Sequence, residues 1–235
     1  MLSFGAVFCG IPQYDSEMQP ELKKYQPREE LVNIATHAFG LACAIIACTV
    51  LMKDALRSGD SMRIAGFGLF GFSLIALYLS STLYHSSRSP ARRKLFRLID
   101  HISIFLLIAG TYSPFLLVNL RNEAGWWLFG MIWTFAILGI LFKVRFGTRY
   151  PGISLALYLG MGWISIIGFR EFYRALDVQS LLLLGAGGLC YTLGVVFYRW
   201  ERLAYHHAVW HLFVLAGSGL HFMAVIHAAS TTGVF

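Results

Sequence analysis

The sequence predicts an all-α integral membrane protein: a seven transmembrane helix bundle with its N-terminus cytoplasmic and its C-terminus outside. Three observations carry this. Of 235 residues, 57% are hydrophobic and only 13% charged, about half the charge a soluble domain uses to cover its surface. The charges fall in short clusters between apolar runs, each near the ~20 residues that cross a bilayer as a helix. The basic residues are also divided unevenly between the two sets of connecting segments. A soluble globular enzyme, a disordered chain, a disulfide-rich secreted fold and a collagenous fold are excluded. So is a β-barrel, whose strands alternate over about 10 residues without continuous apolar stretches.

The apolar runs cover residues 31–52, 61–85, 96–120, 125–142, 152–169, 180–198 and 206–230. Glycine and proline inside them are compatible with membrane helices. Pro114 is expected to kink the third helix, and Pro151 suits the first turn of the fifth. The glycines of GAGG (185–188) and GSG (217–219) are expected at close helix contacts. With the N-terminus inside, the inner segments hold Lys23, Lys24 and Arg28; Arg88, Arg92, Arg93, Lys94 and Arg97; Lys143, Arg145 and Arg149; and Arg199 and Arg202. The outer segments hold Lys53, Arg57, Arg63, Arg121, Arg170 and Arg174. This asymmetry sets the orientation. Trp126, Trp127 and Trp200 stand where interfacial aromatics belong.

Residues 1–27 read as a cytoplasmic N-terminal extension and 28–235 as the membrane domain. No basic residue precedes Lys23, which argues against a cleaved signal peptide. The net charge of +7 is explained by basic inner loops, so nucleic acid is not an expected partner. Cys9, Cys43, Cys48 and Cys190 form no CxxC pair and read as small buried hydrophobes.

Ionisable groups within membrane helices are costly and point to function. Here they are Ser81 and His85 in SSTLYH, Asp100 in LIDHISIF, and His207 and His211 in HHAVWH. The second helix ends inside at His85. The third begins inside near Asp100, and the seventh begins inside with His207 and His211. All five therefore share one layer near the cytoplasmic face. Residues four apart share a helix face, so His207 and His211 can grip one ion, and Ser81 lies one turn deeper on the face of His85. Three neutral imidazoles with an open fourth position make a zinc pattern. Zn²⁺ would acidify a bound water. Asp100 could orient that water or take its proton, and Ser81 could hydrogen-bond it or a developing oxyanion. A zinc that merely staples helices, with Asp100 as an outer partner, is the alternative. His37, His101, His206, His221 and His227 are weaker candidates, and Glu29, Glu30 and Asn33 read as helix-start chemistry.

The stretches EELVNIATHAFG, SSTLYH, LIDHISIFLLIAGTYSPF, LGILFK, LYLGMGW, LGVVFYRW and HHAVWHLFVLAGSGLHF resemble the bacterial hemolysin III family. That family is the prokaryotic branch of the progestin and adiponectin receptor (PAQR) family, within an alkaline ceramidase-like superfamily. The resemblance covers about residues 28–225. It implies seven transmembrane helices in a bacterial plasma membrane and a zinc ion on His85, His207 and His211. It also implies that Asp100 and Ser81 surround the zinc-bound water. The leading functional expectation is a zinc-dependent hydrolase of lipid amides or esters. A receptor-like homeostasis or sensor protein with structural zinc comes second. A pore-forming hemolysin comes last, because the polar groups cluster at one end rather than forming stripes. Membrane lipids are the expected partners; homo-oligomerisation and protein partners stay open.

Overall fold

The helix ends are set by local chemistry. Pro27 sits in the first turn of α1 (Pro27–Ser58), where its missing N–H costs nothing. The backbone N–H of Gln26 donates to Glu29 Oε2 at 3.0 Å. Gly59 closes the helix in the left-handed region at φ 66°, a conformation that favours glycine. Asp60 caps α2 (Ser61–Ser86) by accepting from Met62 N. Pro90 opens α3 (Pro90–Pro114), Asn122 caps α4 (Glu123–Phe146), and Pro151 opens α5 (Pro151–Gly162). Then come α6 (Phe169–Ala175), α7 (Val178–Arg199), capped by Asp177, and α8 (His206–Thr231). The computed structural model describes residues 25–231. Cys9 and nearly all of the expected N-terminal extension lie outside the described residues.

Among the described residues, six helices are long and apolar enough to cross a membrane. The bent pair Pro151–Ile166 and Phe169–Ala175, inclined by 54°, makes a seventh when counted as one span. The sequence predicts one continuous helix over 152–169, but the chain breaks after Gly162 and resumes at Phe169. Tyr112 makes the break tolerable. Its hydroxyl donates to Gly162 O at 2.6 Å and accepts from Ser165 N at 3.2 Å. One buried phenol thus replaces backbone partners that a continuous helix would supply. Pro114 ends the α-helical part of α3, and a π-helical turn follows over Phe115–Asn119. The expected disruption is therefore a wide turn that follows the proline, whose nitrogen cannot donate.

In the bundle α2 packs between α1 and α3, and α8 closes the fold against α7 and α1. The outer faces of α1, α4 and α7 expose Leu, Ile, Phe and Val side chains, as a lipid-facing surface does. The expected close contacts occur at two of the five predicted glycines. Gly187 seats the His221 ring and Gly217 the Tyr191 ring, whereas Gly185 and Gly219 face open space.

Two ends of the bundle can be told apart by their contacts. The starts of α1, α3 and α8 meet the end of α2. We call this the proximal end, and the opposite one distal.

Candidate metal centre

His85 lies in the last turn of α2, while His207 and His211 lie one turn apart at the start of α8. Each offers one ring nitrogen to a cluster whose members lie within 4.8 Å of one another. His85 and His211 are buried and His207 is half-buried. The metal ligands predicted from sequence thus converge in space, from two helices far apart in the chain.

The other ring nitrogen of each histidine is held, and every holder comes from α1 or the two residues before it. Glu30 Oε2 meets His85 Nδ1 at 2.6 Å. The Tyr25 hydroxyl lies 3.0 Å from His207 Nδ1, and Thr36 Oγ1 lies 3.0 Å from His211 Nδ1. A carboxylate only accepts, so Glu30 places a proton on His85 Nδ1 and leaves Nε2 with its lone pair. Thr36 donates its one hydroxyl proton to the backbone carbonyls of Val32 and Asn33, which leaves its oxygen to accept from His211 Nδ1. Burial pushes the Tyr25 hydroxyl well above its ordinary pKa, so it stays a neutral phenol. Such outer partners fix tautomer and ring orientation for a metal. His85 Nε2 is buried and makes no hydrogen bond among the described residues. An orphaned imidazole nitrogen facing two more imidazoles is costly unless something accepts its lone pair. The donor set therefore fits a metal ion.

The two acidic residues ahead of the site hold different elements. Glu30 also pairs with Arg93 at the start of α3. Glu29 Oε1 accepts from Tyr205 N at 2.9 Å. Among the described residues Tyr205 is the non-glycine residue at positive φ, 58°, in the turn that delivers α8. The first turn of α1 therefore gathers the ends of α2, α3 and α8.

Asp100 is not a member of the ligand cluster. Its carboxylate accepts a hydrogen bond from Ser81 and lies in the field of Arg97. Ser81 is buried on α2, one turn from His85. The sequence-predicted pair is thus joined to each other and placed beside the histidines by α2.

A family model described as haemolysin-III related matches residues 25–222. The chain belongs to the haemolysin-III related family. It is 44% identical over 199 residues to Hemolysin-3 of Bacillus cereus, covering 85% of this chain and 91% of the relative. It is 41% identical over 199 residues to the Hemolysin-3 homolog of Bacillus subtilis (strain 168), covering 85% and 93%. A human protein, monocyte to macrophage differentiation factor, is 29% identical over 218 residues, covering 88% and 87%. Six to seven apolar helices and these relatives make the chain a multi-pass membrane protein.

The remaining histidines of this haemolysin III family member are used elsewhere. His221 Nε2 meets Leu184 O at 3.1 Å, and His206 Nδ1 meets Phe197 O at 3.3 Å. Both join α8 to α7. His227 sits distally against Asp177 and Ser180. The backbone carbonyl of His101 accepts from the Tyr158 hydroxyl. His37 stands next to the centre, its ring stacked on His211 with centroids 3.5 Å apart, but it is not in the ligand cluster.

The sequence reading missed Tyr25 and Thr36, and it took Glu30 for ordinary helix-start chemistry. A signal was present. Glu30, just before the first apolar run, and Asn33 and His37 within it recur at helical spacing, which marks a polar face buried against other helices. An open cavity of about 590 Å³ reaches His85 and is lined by Glu30, Leu31, Ile34, Ser87 and Arg93. It lies between α1 and the α2–α3 turn, and the exposed Leu31 side chain stands at its rim.

Proposed function

We propose that this chain is a zinc-dependent hydrolase of membrane-lipid amides or esters, with the histidine cluster and N-terminus at the cytoplasmic face. The observation that carries the reading is the set of contacts at the centre: three histidines each contacted at Nδ1, by Glu30, Tyr25 and Thr36, with His85 Nε2 buried and unbonded among the described residues. Three imidazoles and an open position are what a catalytic zinc uses, whereas structural sites have four protein ligands. When bound there, zinc supplies a water acidified to a pKa of about 7 and polarises an acyl carbonyl.

The chain's own groups do the rest. His85, His207 and His211 hold the ion. Asp100, outside the ligand cluster and steadied by Ser81, takes the proton of the attacking water and returns it to the leaving amine or alcohol. Ser81 keeps that carboxylate oriented. The cavity beside α1 supports a substrate arriving from the lipid side. The cytoplasmic orientation rests on the excess of Lys and Arg in the segments at the proximal end.

A second reading, a sensor with structural zinc, is favoured by one observation: the histidines and their holders join α1, α2 and α8, so an ion there would staple three helices. Cytolysis is suggested by the names of the two Bacillus relatives alone.

Asp100→Asn separates the readings. A hydrolase keeps full zinc and loses turnover of ceramides or lysolipids by roughly 10²- to 10⁴-fold. A wild type that binds zinc and turns over none of these lipids favours the sensor. Reporter fusions after Thr231 and near Arg93 should place them outside and inside respectively; a cytoplasmic signal after Thr231 overturns the orientation.

A further inference from the structure

Beside the histidine cluster stand two side chains whose polar atoms find no hydrogen-bond partner among the described residues. Asn33 and His37 lie one turn apart on α1 and are both buried. Asn33 Nδ2 and Oδ1 and His37 Nδ1 and Nε2 make no hydrogen bond among the described residues. Two of their neighbours are engaged elsewhere. Thr36 holds His211, and the Tyr78 hydroxyl, whose ring meets His37 edge-on at 5.2 Å, donates to Ser218. Leaving four polar atoms buried without partners costs far more than apolar side chains of the same shape would. A purely structural face would use apolar residues here.

We propose that Asn33 and His37 are a specificity subsite that grips a hydroxyl group of the lipid ligand next to the metal position. This rests on the lipid-hydrolase reading of the same centre. The chemistry points to a hydroxyl because the four atoms include donors and acceptors together, with no charged side chain among them. A carboxylate or phosphate only accepts and would leave the Asn33 carbonyl oxygen facing an anion. A hydroxyl donates to one side chain and accepts from the other. The site's position supports the assignment: Asn33 is one turn from Glu30, which lines the cavity, and His37 stacks on the ligand His211. The cavity reaches His85 and Glu30, and Asn33 lies one turn further along α1, so a lipid head that enters there has this pair one turn beyond the cavity wall.

A site built to bond a hydroxyl rejects the analogue without one much more strongly than an apolar pocket discriminates by size. The test compares two lipids with the same acyl chain: 1-monoolein, which carries hydroxyls, and methyl oleate, which carries none. Dissociation constants are measured by scintillation proximity on zinc-loaded, detergent-solubilised protein, with melting temperature recorded for each variant. Wild type should prefer 1-monoolein by about tenfold or more. Asn33→Leu and His37→Phe should each reduce that preference to within about twofold, with melting temperature unchanged or raised and zinc retained. If either variant folds poorly, His37→Gln, which keeps a donor and an acceptor, should retain the preference. Equal wild-type affinity for the two lipids overturns this subsite and leaves the hydrolase reading intact. Binding of neither lipid overturns the subsite, while the hydrolase reading is decided separately by turnover of ceramides or lysolipids. A fall in melting temperature with the preference preserved assigns the pair to buried water and overturns the proposal.

Discussion

At the distal end Arg63 is almost wholly buried, and it is met from inside the chain. It donates to Asp54 at 3.2 Å and to Ala229 O at 3.0 Å, tying α2 to the ends of α1 and α8. Nearby, Arg121 pairs with Asp60, Asn119 donates to Ala228 O, and Asp177 receives Ser180. The proximal end also buries polar groups but treats them differently. There each clustered histidine is contacted on one nitrogen, while His85 Nε2 and the side-chain polar atoms of Asn33 and His37 make no hydrogen bond among the described residues. Donors matched to acceptors within the chain lock helices together. Unmatched ones aimed at a shared space are what a bound group would satisfy. One end of the bundle is closed by its own chain, and the other keeps polar atoms that its described residues do not pair.

The strongest way to break this comparison is at the ligands. His85→Ala or His211→Ala should bring zinc, measured by metal analysis of purified protein, from about one per chain to nearly none. His221→Ala should leave it in place, because His221 serves the α7–α8 contact. If zinc follows His221 instead, the proximal centre is misassigned. Glu30→Gln keeps the shape but replaces the carboxylate that fixes the His85 tautomer. Competition with a chelator should show zinc affinity weakened by about 10- to 100-fold, with Tyr25→Phe weaker in effect because a phenol is a lesser partner than a carboxylate.

At the distal end the expectation reverses. Arg63→Met leaves Asp54 without its partner. Asp54 is 28% exposed, so water can reach it, and the loss should be about 2 kcal/mol rather than the 3–5 of a fully buried pair. Thermal unfolding in detergent should register that loss while zinc content stays constant. A drop in zinc affinity equal to that of Glu30→Gln would show that the two ends are coupled and that the division between them is false.

Much of this was legible in the sequence. The apolar runs mark every long helix, since length and composition alone decide what can cross a bilayer. His85, His207 and His211 were found because helical spacing and depth are one-dimensional properties. The holders of those histidines were not. Tyr25, Glu30 and Thr36 act through the register of α1 against α2 and α8, and register is set by packing, such as Gly40 against Tyr78, that no single segment encodes. The break between α5 and α6 was hidden for the same reason. The residues that stop the helix are ordinary glycines, and what makes the stop affordable is Tyr112 on another helix.

The centre draws its ligands partly from α8 and its orienting groups from α1 and the residues just before it, so it joins the two ends of the described chain. During synthesis the N-terminal segments enter the membrane first. Until α8 leaves the ribosome and docks, the nascent chain holds the orienting groups and His85 alone, which is too few ligands to retain an ion. If the proposed ion binds there, its capture waits for α8 to dock, and a chain cut short before His207 lacks two of the three clustered histidines.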